Sequence, residues 1–228
     1  MSIDIERILS ARSDGGRLRS RKNTVHAVVL DGQTYVVKVF EGADADERAA
    51  RESTVLRGCA AKGIPVPSLL AVRGPVVVMS FIEGKDAMTI LDEGSTDASV
   101  LLYGIAAWLC RFHDSFGRNT VRGDCILKNF MVTASGIAGM DFEESSTSDP
   151  IGDMGQLCAS LLSSRPMFTP EKFALARGFR DEYSRMSGTD LSGALPVNTA
   201  RALEYYAQFR RDGPEMVAWA GKLRREGF

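Results

Sequence analysis

The stretch RGDCILKNFMVTASGIAGMDF, residues 122–142, decides the fold of this chain. Within it, Phe130 to Ala134 and Ile137 to Phe142 are rich in apolar residues and have the length of short strands. Ser135-Gly136 lies between them and is typical of a tight turn. The sequence therefore predicts a small β-hairpin whose two open ends come together.

Polar residues flank this hairpin at its open end. Asn129 precedes the first strand and Asp141 closes the second, so their side chains are predicted to lie side by side. An amide oxygen and a carboxylate form a hard-oxygen site suited to Mg²⁺. Asp124, in the loop before Asn129, is placed to accept a proton from a hydroxyl group. The alternative is two surface loops that happen to carry Asp and Asn.

A lysine among apolar residues marks the N-terminal half of the chain. Lys38 lies within QTYVVKVF (33–40), where a charge costs free energy unless it has a partner. Glu52 shares a helix face with Val55 and Leu56, at i+3 and i+4, and is predicted to point inward. An inward lysine and an inward glutamate predict an ion pair. Alternatively, Lys38 reaches solvent and Glu52 lies at a helix edge.

The first part of the chain reads as strands with one helix. VHAVVL and QTYVVKVF are β-rich runs around Asp31-Gly32, a favoured two-residue hairpin turn. A helix follows with Gly63 as its stop, and residues 74–84 contain a short buried strand. We therefore predict an N-terminal lobe over residues 1–83, with an antiparallel sheet and one helix.

The second part reads as mostly helical. After a connector near residues 83–96, apolar positions cover most of a helix surface from about 97 to 113. Beyond the 130–142 hairpin, helical patterns recur at 154–162, after Thr169-Pro170, at 198–212 and at 214–226. The order predicts an α+β chain with a helical C-terminal lobe over residues 84–228 that carries the catalytic and metal loops.

The composition is that of an ordinary globular protein. The 228 residues are 44% hydrophobic and 25% charged, with a net charge of −1, which does not favour a nucleic-acid partner. The N-terminus lacks the apolar run of a secretory signal, and the longest apolar stretch is too short to span a membrane. The cysteines form no CxxC pair and are predicted to be reduced, buried thiols of a cytoplasmic protein: Cys59, Cys110, Cys125 and Cys158.

These motifs resemble those of the protein-kinase-like superfamily. Arg122-Gly123-Asp124…Asn129 looks like the His-Gly-Asp-x-x-x-x-Asn loop of aminoglycoside and choline phosphotransferases. Met140-Asp141-Phe142-Glu143 takes the place of the Asp-Phe-Gly of protein kinases, and Asp149-Pro150…Asp153 looks like the Gly-Asp-Pro-x-x-Asp-Leu segment of aminoglycoside phosphotransferases. Small RIO-type and lipopolysaccharide-core sugar kinases are also similar. The resemblance implies a two-lobed kinase-like fold, with a small β-rich N-lobe.

The resemblance also implies an ATP- and Mg²⁺-dependent phosphotransferase that acts on an alcohol. In that family pattern Asp124 is the catalytic base, and Lys128 supplies a positive charge beside it. Asn129 and Asp141 bind the metal. A helix-end histidine, His113, is read as structural, because it would hydrogen-bond the catalytic loop.

The nucleotide contacts implied by the resemblance lie in the N-terminal half and at its end. Lys38, paired with Glu52, would hold the α and β phosphates of ATP. The backbone at Ser80 and Ile82 would meet adenine. Farther along the chain, Asp153 would brace the catalytic loop.

Two departures from the family pattern leave alternatives open. Arg122 replaces the usual histidine, and Arg21-Lys22-Asn23 occupies the place of a glycine-rich phosphate loop. Both favour, as one alternative, a nucleotide-binding pseudokinase scaffold. The Asp-Phe-Glu motif favours a small metabolite or a sugar hydroxyl as the acceptor. The short chain after the last motif favours instead a RIO-like protein kinase or a lipopolysaccharide-sugar kinase.

Overall fold

A computed structural model describes the chain over residues 5–11, 16–18 and 22–228. Its packing divides the chain into two compact units, one rich in strands and one mostly helical. The first consists of residues 1–83 and 139–145, and the second of residues 84–138 and 146–228. The predicted α+β class with two lobes is confirmed.

The segment 139–145 distinguishes these units from the lobes drawn on the sequence. The sequence boundary after residue 83 assigned this segment to the C-terminal lobe, whereas by packing it belongs to the first unit. The physical reason is charge pairing, since Asp141 and Glu143 both contact Lys38. The lobe boundary itself stays a prediction.

The first unit is a five-stranded antiparallel sheet with two helices. Its elements are α1 (Ile5–Ser10), β1 (Gly16–Leu18), β2 (Asn23–Leu30), β3 (Gln33–Phe40), α2 (Ala45–Ala61), β4 (Leu69–Arg73) and β5 (Val76–Ser80). The strand order is β1-β2-β3-β5-β4, which places β3 in the interior of the sheet. Ile8 of α1 is fully buried in an apolar cluster with Val28 and Val37.

The hairpin predicted around Asp31-Gly32 is confirmed. β2 and β3 pair in register from Asn23 opposite Phe40 to Leu30 opposite Gln33. Both turn residues have positive φ, 51° and 76°, and this geometry matches the twist of the two strands. The register places Lys38 opposite Val25 on one side and Val77 on the other.

The second unit is helical apart from short strands. Its elements are β6 (Lys85–Asp86), α3 (Ala87–Glu93), α4 (Ala98–Ser115), β7 (Thr120–Val121), β8 (Phe130–Thr133), β9 (Gly136–Gly139), β10 (Ser146–Thr147), α5 (Ile151–Leu162), α6 (Pro170–Ser187), α7 (Ala194–Ala207) and α8 (Gly213–Glu226). One small sheet has the order β6-β8-β9, and another pairs β7 with β10. In the part of the chain that the structure describes, no helix has the length and apolar character needed to cross a membrane.

Two expectations about local structure in this unit were wrong. The predicted connector at 83–96 contains α3, because the Asp86 carboxylate accepts the N–H of Thr89 and Gly94 ends the helix with a φ of 61°. The second strand of the 130–142 hairpin ends at Gly139 rather than at Phe142. Asp141 therefore lies beyond the strand, in a left-handed backbone conformation with a φ of 61°.

The helix predicted from 97 to 113 is present as α4 and forms the core of its unit. Trp108 stacks on Phe112 with ring centroids 5.4 Å apart, and its ring meets Phe130 edge-on at 5.6 Å. All four cysteines are buried and unpaired by disulfides, as the sequence predicted for their burial. Burial raises the pKa of Cys158 to about 12, so this thiol is protonated at neutral pH.

A close approach between α5 and α7 gives a testable stability effect. A Cβ added at Gly155 would lie 2.7 Å from the backbone carbonyl carbon of Asn198, nearer than atoms can pack. We expect Gly155→Ala to lower the free energy of unfolding by about 2 kcal/mol, measured by urea denaturation. Gly152→Ala, in the same helix but with no atom within 4 Å, is the control and should be neutral or slightly stabilising. Equal effects for both variants would contradict the close-packing argument.

Candidate functional site

Lys38 is the centre of an acidic cluster in the first unit. Its Nζ lies 2.7 Å from Oε2 of Glu52, 2.7 Å from Oδ1 of Asp141 and 3.0 Å from Oε2 of Glu143. The ion pair with Glu52 that the sequence predicted is therefore present. Because β3 is an interior strand and α2 turns its apolar stripe inward, the lysine and the glutamate meet inside the unit.

Burial makes this charge pairing strong. Lys38 is 6% exposed and Glu52 is 2% exposed. Burial by itself lowers the pKa of Lys38, but attraction from Glu52, Asp141 and Glu143 outweighs it, and the pKa is raised. Burial also raises the pKa of Glu52, against the attraction of Lys38. The ammonium group is therefore held in its charged form.

Glu143 is a member of this cluster that sequence reasoning did not assign to the site. Besides Lys38, its carboxylate accepts hydrogen bonds from the guanidinium of Arg48 at 3.2 Å and from the side-chain amide of Asn23. Its backbone carbonyl accepts one from Arg51 at 2.7 Å. These contacts hold the segment that carries Asp141 to α2 and β2. The sequence carried a signal for it, because Glu143 is an acidic residue only two positions after the candidate metal ligand Asp141.

In the region predicted to contact adenine, one backbone N–H already donates a hydrogen bond within the protein. Ser80 donates its N–H to the carbonyl of Ser68 at 2.9 Å, and its hydroxyl accepts the N–H of Ser68. The N–H of Ser80 is therefore already occupied by a bond within the sheet region and is not open to a base. The N–H of Ile82 makes no backbone hydrogen bond to another described residue. Both adenine contacts stay predictions.

The region of Arg21-Lys22-Asn23 is described only in part. Arg21 lies outside the described residues. The Nζ of Lys22 lies 2.6 Å from Oε1 of Glu144, and Asn23 begins β2. Lys22 is therefore an exposed residue paired with an acid rather than an unpartnered basic side chain.

Asp124 and Asn129 lie together in the second unit. The side-chain amide nitrogen of Asn129 donates to Oδ2 of Asp124 at 3.0 Å and to its backbone carbonyl at 2.8 Å. This arrangement orients the loop and leaves Oδ1 of Asn129 as the atom suited to a metal. Lys128, in the short 3₁₀ helix Leu127–Asn129, is exposed.

The loop that carries Asp124 is anchored by Asp153 of α5. Oδ2 of Asp153 accepts the backbone N–H of Arg122 at 2.8 Å, and Oδ1 accepts that of Gly123 at 3.1 Å. Nε2 of His113 also lies 3.1 Å from Oδ2. Asp153 thus contacts the loop as the resemblance implied, whereas the His113 ring reaches the loop through Asp153 and not by the direct hydrogen bond expected from the sequence.

Tyr183 extends this buried network and was not found from the sequence. Its hydroxyl lies 2.8 Å from Nδ1 of His113. A ring that donates from Nε2 to the carboxylate of Asp153 accepts a hydrogen bond from the Tyr183 hydroxyl at Nδ1. Tyr183, His113 and Asp153 are each at most 4% exposed. The catalytic-loop candidate therefore rests on a buried hydrogen-bonded chain that reaches α6.

Arg122, the largest departure from the family motif, has a structural explanation. The residue is fully buried, and its guanidinium lies 4.3 Å from the centre of the Phe130 ring and 5.6 Å from that of Trp108. It also donates to the backbone carbonyl of Asn129 at 3.2 Å. Arg122 therefore fills a core position beside the loop and ties the start of the loop to its end.

The candidate residues thus fall into two clusters, one in each unit. Lys38, Glu52 and Asp141 belong to the first unit, and Asp124 and Asn129 to the second. The structure brings together the members within each cluster. The predicted neighbourhood of Asn129 and Asp141 stays a prediction.

Known proteins resemble the chain in sequence over part of its length. Residues 17–119, a little under half of the chain, match the phosphotransferase enzyme family called APH. The EKC/KEOPS complex subunit BUD32 of Encephalitozoon cuniculi is 30% identical over 124 residues. That match covers 50% of this chain, and the chain spans 60% of the length of that relative.

Solved structures resemble the chain over nearly its whole length. Amicoumacin kinase hAmiN, in complex with AMP-PNP and Ca²⁺, aligns over 99% of this chain and 94% of its own, with a TM-score of 0.70 and 13% identity. The streptomycin–ATP–APH(2")-IIa complex aligns over 95% and 91%, with a TM-score of 0.62 and 14% identity. A choline/ethanolamine kinase family protein from Mesorhizobium loti aligns over 93% and 86%, with a TM-score of 0.56 and 17% identity.

The resemblance to the protein-kinase-like superfamily is confirmed. The two-lobed kinase-like fold follows from the structural neighbours, and the sequence matches support a phosphotransferase. At identities of this size the neighbours establish the fold and not the substrate.

The acidic cluster around Lys38 fits the divalent cation that kinase-like folds use. Oxygen atoms of Glu52, Asp141 and Glu143 all lie within 4.8 Å of one another. Carboxylate oxygens are the donors that Mg²⁺ prefers. The left-handed backbone of Asp141 is uncommon outside glycine, and such conformations concentrate at functional sites. The donor chemistry of the cluster is therefore compatible with a metal at Asp141.

Proposed function

We propose that the chain is an ATP- and Mg²⁺-dependent phosphotransferase that moves the γ-phosphate of ATP to an alcohol, most favourably a small metabolite or a sugar hydroxyl. The observation that carries the proposal is the buried Lys38, held at 2.7 Å by both Glu52 and Asp141. A buried cation bonded to two carboxylates, on a kinase-like fold, is the arrangement that binds nucleotide phosphates.

Each candidate residue has a defined part in this reaction. Lys38, oriented by Glu52, binds the α and β phosphates of ATP. Asp141 and Asn129 hold Mg²⁺, and the backbone of Ser80 and Ile82 contacts adenine. When bound, the metal ion neutralises charge on the β and γ phosphates.

The acceptor hydroxyl reacts beside the loop that carries Asp124. The acceptor oxygen forms a bond to the γ phosphorus, the bond between that phosphorus and the β–γ bridging oxygen breaks, and ADP leaves with that oxygen. Asp124 accepts the proton of the acceptor hydroxyl. The Asp153 contacts to Arg122 and Gly123 hold this carboxylate in place. Lys128, four residues after Asp124, adds positive charge near the transferred phosphate.

Removal of the metal-binding carboxylate tests the nucleotide half of the proposal. Mg·ATP at 100 times its Kd should stabilise the wild type by about 2.7 kcal/mol, which raises Tm by roughly 5–10 °C in a chain of this size. We expect Asp141→Ala to lose the Mg²⁺-dependent part of this shift in a thermal unfolding assay. The chain should stay folded, because Lys38 keeps Glu52 and Glu143 as partners.

A neighbouring acid provides the matched control. Glu144 is exposed and pairs with Lys22, so Glu144→Gln removes a charge near the same segment without touching Lys38. This variant should keep the full Mg·ATP shift. If Asp141→Ala also keeps it, Asp141 is not the metal ligand.

A protein acceptor is the second candidate. The observation that favours it is the 30% identity to the complex subunit BUD32, which is higher than the identity to the antibiotic-kinase structures. Under this candidate the nucleotide residues keep their parts and only the acceptor changes. Transfer of labelled phosphate to a seryl peptide, with none to small alcohols, would favour a RIO-like protein kinase over the small-molecule kinase.

A further inference from the structure

The polar side chains of α5 lie on one face of an otherwise apolar helix. Apart from the thiol of Cys158, three of its 12 residues have polar side chains, namely Asp153, Gln156 and Ser160. Their spacing of i, i+3 and i+7 places them in one row along the helix. Most of this helix is buried, so polar atoms on it cost free energy unless they find hydrogen-bond partners.

These side chains find their partners in the loop that carries Asp124. Asp153 accepts two backbone N–H groups that precede Asp124. Oε1 of Gln156 accepts the N–H of Cys125 at 2.7 Å, and Oγ of Ser160 accepts an N–H two residues later at 3.3 Å. The four N–H groups belong to Arg122, Gly123, Cys125 and Leu127. The order of the acceptors along α5 therefore follows the order of the donors along the loop.

The bond to Gln156 is the anchor that follows Asp124 in the chain. Asp153 holds the backbone before the candidate base, and Gln156 holds the peptide group directly after it. With Asp153 alone, the chain would be free to turn about the φ and ψ angles that follow that anchor. With both anchors on one helix, the direction of the Asp124 carboxylate is restricted from two sides.

The loop depends on such anchors because residues 122–126 belong to no helix or strand of the structure. Cys125 is 0% exposed, so its N–H cannot turn to water in place of Gln156. Loss of the acceptor oxygen would leave a buried donor unsatisfied, and the loop would have to move to satisfy it. Gln156 itself is only half-buried, so its side chain can be changed without opening the core of the unit.

We propose that Gln156 is a positioning residue for the phosphotransferase: by accepting the N–H of Cys125, it holds the carboxylate of Asp124 where that group takes the proton of the acceptor hydroxyl. The inference rests on the proposed function and adds a residue that acts through the loop backbone. A general base works only within hydrogen-bond reach of the proton. A displacement of about 1 Å can cost roughly 100-fold in rate.

The role requires the amide oxygen of Gln156 and not the size of the side chain. Gln156→Met keeps a side chain of similar length but offers no oxygen to the N–H of Cys125. Gln156→Glu keeps an oxygen that can accept the same N–H. The pair of variants therefore separates the hydrogen bond from the packing of the side chain.

Hydrogen exchange measures the bond without any substrate. Selective ¹⁵N labelling of cysteine gives one amide signal for each of the four cysteines, and Cys125 is the one outside a helix. In Gln156→Met we expect this amide to exchange with D₂O about tenfold faster than in the wild type, as for the loss of one hydrogen bond. In Gln156→Glu the exchange rate should stay within about twofold of the wild type.

Activity tests whether the bond positions the base. The measurements are kcat for phosphate transfer from Mg·ATP to water and to glycerol, and the Kd for Mg·ATP. We expect Gln156→Met to lower kcat about tenfold or more and to leave Kd within about twofold, because Lys38 and Asp141 belong to the first unit. Gln208→Met, the same substitution at an exposed glutamine that ends α7, is the control and should change neither kcat nor the exchange rate.

The possible outcomes separate this inference from the proposed function. Equal exchange rates in the wild type and Gln156→Met, or fast exchange in Gln156→Glu, would show that Gln156 does not anchor the loop. Faster exchange with an unchanged kcat would overturn the positioning role, as would a loss of Mg·ATP affinity as large as the loss of kcat. A wild type that transfers no phosphate would overturn the proposed function and the catalytic role of Gln156 with it, while the exchange rates would still decide whether the loop is anchored.

Discussion

Replacing Asp124 with Asn should lower phosphate transfer from Mg·ATP by about 100-fold or more while leaving Mg·ATP affinity within about twofold. A positioned general base contributes roughly 10²–10⁴-fold to a rate, and an amide cannot accept the hydroxyl proton. The affinity is retained because the nucleotide contacts are assigned to Lys38 and Asp141. The carboxamide can still accept the hydrogen bond that Asn129 donates to Oδ2 of Asp124, so the loop keeps its shape.

The measurement is ATP turnover, with and without alcohols, alongside a Mg·ATP binding titration. Asp190→Asn serves as the control because Asp190 is an exposed residue that caps a turn at Ser192. Full activity of Asp124→Asn would show that Asp124 is not the base. A wild type that binds Mg·ATP tightly but transfers no phosphate to any alcohol, peptide or water would instead favour the pseudokinase scaffold.

Replacing Asp153 with Asn should be the most destabilising of these changes. Two backbone N–H groups and the ring of His113 converge on the two oxygens of Asp153. An amide of the same shape keeps one oxygen and turns an NH₂ group toward at least one donor. Breaking a buried charged contact in this way costs about 3–5 kcal/mol, and the midpoint of urea denaturation should fall accordingly.

The effect should reach activity as well as stability. Because the N–H groups of Arg122 and Gly123 lose a shared anchor, Asp124 should be held less firmly, and turnover should fall in the folded variant. Asp149→Asn is the matched control, since Asp149 is exposed and, among the described residues, its carboxylate accepts only the N–H of Ile151, a bond that an amide oxygen can replace. A stability loss no larger than that of the control would mean that Asp153 does not brace the loop.

Conformational preferences that act within a few residues made much of the fold predictable from the sequence. Asp31-Gly32 demands a positive-φ turn, and Thr169-Pro170 begins a helix, because these preferences act within a few residues. The same short-range patterns predicted that Lys38 and Glu52 point inward. Short-range reasoning failed at α3, because the seven residues from Ala87 to Glu93 carry too weak a periodic pattern to be separated from a loop.

Short-range sequence patterns could not identify the residues that complete the candidate site. Glu143 meets Asn23 across 120 residues of sequence, and His113 meets Tyr183 across 70. No periodic pattern in one sequence links positions so far apart. For the same reason the sequence could not explain why Arg122 departs from the motif. The structure explains this residue by its packing against Phe130 and Trp108.

The sequence by itself determined the stretch from Arg122 to Asp141, the paired Lys38 and Glu52, and the two-lobed class, because each follows from residue type and short-range spacing. Only the tertiary structure decided that segment 139–145 packs with the first unit and that Asp153 links the loop of Asp124 to His113 and Tyr183. Both depend on which distant surfaces come into contact. Such contacts are fixed by the burial of whole helices and strands and not by any single motif.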